Sequence, residues 1–212
     1  ADAEWDSGAL TMTVLTSPLS DAMALVAEVV LEPAFPEREL ERLKAERLAE
    51  ILQRRAEPRG LADELFSRFL YASDSRYALP DGGSAASVSG LDRDRVAAFH
   101  AARYRPGSTT AIIVGDIGVD DALRVVRSRL NAWPAERAPV VDADDRPARR
   151  TRAVHLVEKA DAPQSELRIG HIGIPRVHPD YFAALVMNML LGGLFSSRIN
   201  LNLREAHGYT YG

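Results

Sequence analysis

A segment without helical or strand periodicity divides the chain into two regions. Residues 132–152 contain three prolines, several alanines and charges of both signs, but no regular spacing of apolar residues. A structureless stretch of about 20 residues is unusual inside one compact domain. We therefore predict a first domain at residues 1–131, a linker at residues 132–152 and a second domain at residues 153–212.

Strand and helix patterns alternate before the linker. Strands are predicted at residues 9–16 (ALTMTVLT) and at residues 111–114 (AIIV), where apolar residues alternate or form a short run. A polar loop is predicted at residues 72–90, and Ser20 is the expected N-cap of the first helix. Helices are predicted at residues 20–32, 36–57, 61–70, 91–104 and 119–130. This order is typical of an α/β or α+β fold rather than a helical bundle.

The pattern resumes after the linker. Strands are predicted at residues 153–158 and 166–174, helices at residues 178–191 and 196–205, and a further strand from Tyr209. Because the pattern breaks off just after that strand begins, we expect the sequence to stop inside the second domain.

Composition excludes several classes of protein. Net charge is −4, with 26 basic and 30 acidic side chains interspersed, so no basic field predicts nucleic-acid binding. The chain has no cysteine, which excludes disulfides and thiolate zinc sites. No apolar run approaches the roughly 20 residues of a membrane span, so no span is predicted. The compartment stays open between cytoplasm and periplasm.

No familiar catalytic motif is present. The five histidines are too far apart in sequence for any two to lie three or four residues apart on one helix, so the chain has neither HxxEH nor HExxH. We expect structural roles for all of them: His100, His155, His171, His178 and His207. There is no GxSxG, and VGDIG lacks the remaining glycines of a phosphate-binding loop, which leaves a ligand-binding module with little support.

The closing stretch, GGLFSSRINLNLREAHGYTYG, has a pattern of possible functional interest. Arg204 lies where the last predicted helix ends, seven residues before Tyr211. An arginine offers fixed donors for an oxyanion or a peptide carbonyl and a tyrosine offers a directed hydroxyl, so the pair can stabilise developing negative charge. The alternative is a solvent-exposed arginine followed by two strand tyrosines, and the residue types alone favour that alternative.

This stretch, together with PQSELRIGHIGIPRVHPDYFAALVMNMLLGG before it, resembles the second homologous domain of the pitrilysin and insulinase family of zinc metallopeptidases. LEPAFPERELERLKAERLAEILQRR and LDRDRVAAFHAARYRPGSTTAIIVGDI resemble the later part of that family's first domain. The resemblance implies an α+β fold with mixed, largely antiparallel sheets, helices packed on one face, and two related halves.

The resemblance also implies roles for individual residues. Arg204 and Tyr211 match an arginine and a tyrosine that bind substrate and stabilise the tetrahedral intermediate, and Tyr209 is a weaker candidate. Glu50 falls at the position of the third zinc ligand, although a solvated glutamate is the favoured alternative. Leu43 stands where catalytic members carry another glutamate.

Because HxxEH is missing, the resemblance implies zinc in a longer parent protein or in a partner and none bound by this chain. The expected partners are a peptide substrate and a zinc-bearing family member, in a homodimer or heterodimer. The predicted function is a substrate-binding contribution to peptide hydrolysis, with the chain alone inactive. The alternative is a non-catalytic scaffold subunit of the same family.

Overall fold

The computed structural model describes residues 2–134, 136–139 and 146–211, which form two compact units. The first unit extends to Ile169 and the second begins at Gly170. Part of the predicted linker, residues 135 and 140–145, lies outside the described residues. The predicted domain boundaries at residues 131 and 153 therefore stay a prediction.

The first unit is mainly helical. Its helices are α1 (Leu19–Leu31), α2 (Glu37–Ala56), α3 (Pro58–Leu70), α4 (Ala85–Ser89), α5 (Arg93–Arg103) and α6 (Val119–Leu130), with 3₁₀ turns at Arg76–Ala78 and Pro106–Ser108. The five helices predicted from apolar periodicity are confirmed, with ends that shift by three residues at most.

Side-chain capping explains where two of these helices begin. Asp92 accepts a hydrogen bond from the backbone N–H of Arg95 at 2.8 Å and starts α5. Ser84 accepts from the N–H of Ser87 at 3.1 Å while the Ser87 hydroxyl accepts from the N–H of Ser84 at 2.8 Å, so a reciprocal capping box starts α4. The polar loop predicted at residues 72–90 therefore contains a short helix, which this local pair stabilises.

The start of α1 also differs from the prediction. Pro18, not Ser20, occupies the N-cap position, and no side chain caps the helix. Ser20 lies within the first turn, where its hydroxyl accepts a hydrogen bond from Arg129 Nη2 at 3.2 Å. The serine therefore joins α1 to the end of α6.

Helix pairs form the small core of the first unit. Helix α1 packs on α6, and α2 packs on α3 and α4. Among the described residues, the buried apolar ones are Ala22, Met23, Ala27, Ala78 and Val88. Three of these five described residues lie on α1.

A small antiparallel sheet completes the first unit. Strand β1 (Asp2–Ala3) pairs with β2 (Gly8–Ala9), with Asp2 opposite Ala9 and Ala3 opposite Gly8. Helices together with an antiparallel sheet confirm the predicted α+β fold class.

The individual strand predictions were wrong for most of their length. Within the described residues, the segments 111–114, 153–158, 166–174 and 209–211 carry no strand hydrogen bonding, and of residues 9–16 only Ala9 lies in a strand. Val114 and Val154 are 92% and 96% exposed. A strand exists only when a second strand satisfies its backbone groups, and no such partner lies beside these segments in the described chain.

The second unit contains α7 (Tyr181–Asn188) and α8 (Arg198–Asn200), each extended by a π-helical turn, at Met189–Gly193 and Leu201–Ala206 respectively. Both helices predicted here are confirmed. Leu194 and Ser197, between the two helices, have extended ψ angles of 155° and 158°. The chain therefore turns a corner between α7 and α8.

By length and apolar composition alone, the stretch Tyr181–Ala206 is a candidate membrane span, with 26 residues and a mean hydropathy of 1.5. The backbone leaves the helical conformation at Leu194 and Ser197, so this stretch is not one continuous helix. Irregular backbone at membrane depth is tolerated only where it is buried in protein or lines a water-filled cavity. This break argues against a spanning helix, and the absence of a span stays a prediction.

Candidate functional site

The predicted Arg204 lies in the last turn of the final helix, and a left-handed glycine ends that turn. Gly208 has a φ of +63°, a conformation that glycine adopts without steric cost. Its N–H bonds the Arg204 carbonyl at 3.0 Å, and the N–H of Tyr209 bonds the Leu203 carbonyl at 2.8 Å. This is a C-cap of the Schellman type, widened because the last turn, Leu201–Ala206, is a π-helix.

The guanidinium of Arg204 lies over an aromatic ring. Its Cζ is 4.0 Å from the ring centroid of Phe195, and its Nε is 3.5 Å from Glu205 Oε1. The Arg204 side chain is 32% exposed. An arginine held by an aromatic face and one carboxylate keeps N–H donors that can bind a further acceptor.

The corner between α7 and α8 places Phe195 in this position. Ser197 is 2% exposed, and its hydroxyl accepts the N–H of Asn200 at 3.5 Å. Its own N–H bonds the Leu194 carbonyl at 3.0 Å, and Asn200 Nδ2 donates to the same carbonyl at 3.1 Å. These bonds fix the backbone on both sides of Phe195.

The two tyrosines of the motif have different surroundings. Tyr209 stacks on His207, with ring centroids 5.0 Å apart and an angle of 9° between planes. Tyr211 is 89% exposed. Within the described residues no hydrogen bond or ring contact joins Tyr211 to Arg204, so their joint action on a substrate stays a prediction.

Glu50, the candidate zinc ligand, lies on the exposed face of α2. Its Oε2 pairs with Arg47 Nη1 at 2.8 Å, and its side chain is 53% exposed. Leu43, Arg47 and Glu50 are spaced at i, i+4 and i+7, so they share one face of the helix. In the described part of the chain no group of three or more histidine, aspartate or glutamate side chains could hold a metal ion. Glu50 therefore lacks companion ligands here and does not by itself fit a zinc site.

Each of the five histidines has a local partner. His100 Nε2 lies 2.8 Å from the Val30 carbonyl, and His155 stacks on Phe69 with centroids 3.9 Å apart. The ring nitrogens of His171 and His178 each bond nearby backbone, and His207 stacks on Tyr209. These contacts agree with the structural roles expected from the sequence.

A contact between the aromatic rings of Trp5 and Tyr77 was not foreseen from the sequence. The Tyr77 hydroxyl donates to Asp6 Oδ2 at 2.7 Å, and the Trp5 indole N–H donates to the Leu79 carbonyl at 2.9 Å. The hydrogen bond to Asp6 is the main cause that raises the pKa of Tyr77, and burial adds to it. Because these contacts join residues more than 70 positions apart, no local pattern could reveal them.

Phe195 is the site residue that sequence reasoning missed. It stands in the quoted motif nine residues before Arg204, across the corner between the two helices. Helical periodicity predicts contacts three or four residues apart on one helix. It does not predict a contact across a turn.

Comparison with known proteins identifies the family. The family model of the peptidase M16 inactive domain matches residues 90–212. An uncharacterized zinc protease of Mycobacterium leprae is 30% identical over 209 residues, which cover 93% of this chain and 44% of that protein. A non-peptidase homolog from Helicobacter pylori is 23% identical over 209 residues, covering 95% of this chain and 46% of that protein.

A solved structure gives the same result. The crystal structure of a peptidase M16 inactive domain from Pseudomonas fluorescens superimposes with a TM-score of 0.74 at 30% identity, over 93% of this chain and 47% of that one. The chain spans less than half the length of the curated relatives described above. The family predicted from the closing motif is confirmed: this chain belongs to the peptidase M16 family and carries its inactive domain.

Proposed function

We propose that this chain contributes the substrate-binding half of a zinc metallopeptidase, with Arg204 and Tyr211 as the residues that contact the peptide. The observation that carries the proposal is the held guanidinium of Arg204, 4.0 Å above the Phe195 ring at the end of a capped helix. Tyr211 follows seven residues later with an accessible hydroxyl.

The chemistry of these two side chains suits peptide hydrolysis. Attack on a peptide carbonyl places negative charge on the carbonyl oxygen, and donors already aimed at that oxygen stabilise the transition state. An arginine side chain offers several N–H donors in a fixed planar arrangement. Tyr211 offers one O–H donor, and Tyr209, stacked on His207, is the weaker candidate for the same role.

Zinc belongs to another part of the assembly in this proposal. Relatives of this chain are named zinc proteases and are more than twice as long as the region they share with it. Zinc, where it is bound, activates a water molecule for attack. Glu50 pairs with Arg47, and the sequence has no HxxEH. We therefore place the zinc site in a longer parent protein or in a zinc-bearing family member that forms a dimer with this chain.

Hydrolysis by a reconstituted assembly tests the proposal. The chain is combined with the HxxEH-bearing segment or subunit, and cleavage of a fluorogenic peptide is measured. Loss of one donor to an oxyanion costs about 10²- to 10³-fold in kcat, so Arg204→Ala should lose activity on that scale and Tyr211→Phe should also lose most of it. Arg198→Ala, at the start of the same helix, is the matched control. Full activity of Arg204→Ala would disprove the proposal.

A scaffold role is the second candidate, because one relative is named a non-peptidase homolog. The same variants separate the two functions. A scaffold subunit would keep its assembly in both Arg204→Ala and Tyr211→Phe, and the assembly with the unaltered chain would show no hydrolysis. Size-exclusion chromatography with light scattering measures the assembly independently of activity.

A further inference from the structure

We propose that Phe195 is a positioning residue for Arg204, and that its ring fixes the guanidinium for contact with the peptide. This inference rests on the proposed function and adds a residue to it. The evidence is the 4.0 Å distance from Arg204 Cζ to the Phe195 ring centroid and the rigid corner that carries Phe195.

An aromatic ring restrains an arginine in a way that preserves its donors. The face of the ring attracts the cation through its quadrupole and does not use up the N–H groups as a carboxylate would. The contact with Glu205 is from Nε to Oε1, at 3.5 Å. The combination holds the guanidinium while leaving the terminal nitrogens for a carbonyl or oxyanion.

The corner between α7 and α8 makes the position of Phe195 reproducible. Ser197 is buried, and three hydrogen bonds connect Leu194, Ser197 and Asn200 around the turn. Phe195 lies between the first two of these residues. Its backbone is therefore fixed by contacts that do not involve its own side chain.

The exposure of Phe195 distinguishes a positioning role from core packing. The residue is 65% exposed, whereas a core phenylalanine is buried almost completely. Loss of the ring should consequently leave the fold intact. Loss of the ring should make the guanidinium of Arg204 less ordered, because the ring covers it.

Two substitutions at one position test the inference. Phe195→Leu removes the aromatic face while keeping an apolar side chain, and Phe195→Tyr keeps the face. In the reconstituted assembly we expect Phe195→Leu to lower kcat/KM about two- to fivefold, the size of an exposed cation–π contact, and Phe195→Tyr to restore it. Combined with Arg204→Ala, Phe195→Leu should have no additional effect, because the residue it positions is gone.

Nuclear magnetic resonance of the chain alone reads the contact directly. The δ-methylene protons of Arg204 should show an upfield ring-current shift in the unaltered chain and in Phe195→Tyr, and should lose it in Phe195→Leu. Circular dichroism verifies that each variant is folded.

The outcomes separate the two proposals. Full activity of Phe195→Leu beside an inactive Arg204→Ala overturns the role of Phe195 and leaves the proposed function intact. Absence of the ring-current shift in the unaltered chain also overturns the role of Phe195. Full activity of Arg204→Ala overturns the proposed function and this inference together.

Discussion

The guanidinium of Arg47 occupies the space beside Gly82 in which any other residue would place its Cβ atom. Arg47 Nε donates to the Gly82 carbonyl at 3.1 Å, and Nη1 of the same side chain pairs with Glu50 at 2.8 Å. One arginine thus joins α2 to the loop that precedes α4. The position requires glycine for space, not for an unusual backbone angle.

Gly82→Ala should therefore destabilise the first unit through Arg47. An added methyl group displaces the guanidinium and breaks its hydrogen bond, which costs about 1 kcal/mol and lowers Tm by about 2–4 °C. Thermal unfolding followed by circular dichroism measures the change. In a background of Arg47→Ala the same substitution should cost much less, and equal costs in both backgrounds would refute the contact.

Glu50 yields a prediction about metal content. Because its carboxylate pairs with Arg47 and has no companion ligands in the described residues, the purified chain should bind no stoichiometric zinc. Mass spectrometric metal analysis after zinc loading and gel filtration should give the same value for the unaltered chain and for Glu50→Gln. Stoichiometric zinc that disappears in Glu50→Gln would instead identify Glu50 as a ligand.

The sequence predicted helices well because their signals are local. Apolar spacing and the prolines at positions 33, 36 and 58 bounded α1, α2 and α3 to within three residues. Strands were predicted poorly, since residues 111–114 have the composition of a buried strand yet lie without a hydrogen-bonded partner. The composition of a segment indicates that the segment favours a strand. Composition does not indicate which other segment will pair with that strand.

The same difference between local sequence signals and tertiary contacts holds for individual side chains. Arg204 was singled out from its spacing to Tyr211 and from a motif resemblance, and its role on a substrate stays a prediction. The contact with Phe195 depends on the corner fixed by Ser197, and the pairing of Arg47 with Gly82 connects positions 35 residues apart. Such contacts follow from tertiary structure and leave no periodic trace in the sequence.

Tyr77 should titrate at a lower pH when its partner is neutralised. The hydrogen bond to Asp6 raises the pKa of Tyr77, so the contact contributes fully below the ordinary tyrosine pKa of about 10. Its contribution is lost as the pH rises through the higher pKa of the folded state. In Asp6→Asn the Tyr77 midpoint, followed by the ¹³Cζ chemical shift, should fall.

Asp74→Asn is the control for that titration, because Asp74 pairs with Arg146 and not with Tyr77. It should leave the Tyr77 midpoint unchanged. An identical midpoint in the unaltered chain and in Asp6→Asn would contradict the assignment of the pKa shift to Asp6.

Arg168 should be protected from trypsin by two carboxylates. Its Nε bonds Asp63 on α3 at 2.6 Å and its Nη1 bonds Glu166 at 2.9 Å, and its side chain is 26% exposed. Trypsin must extract the arginine from both partners before it can cleave after Arg168. An exposed ion pair is worth at most about 1 kcal/mol, so Asp63→Asn should speed this cleavage by about two- to fivefold.

Arg176, whose guanidinium lies over the rings of Tyr181 and Phe182 at 4.9 and 4.3 Å, provides an internal reference. Since Asp63 has no part in that contact, the rate of cleavage after Arg176 should stay constant, and a parallel rise at both sites would mean general loosening instead of a specific loss at Arg168.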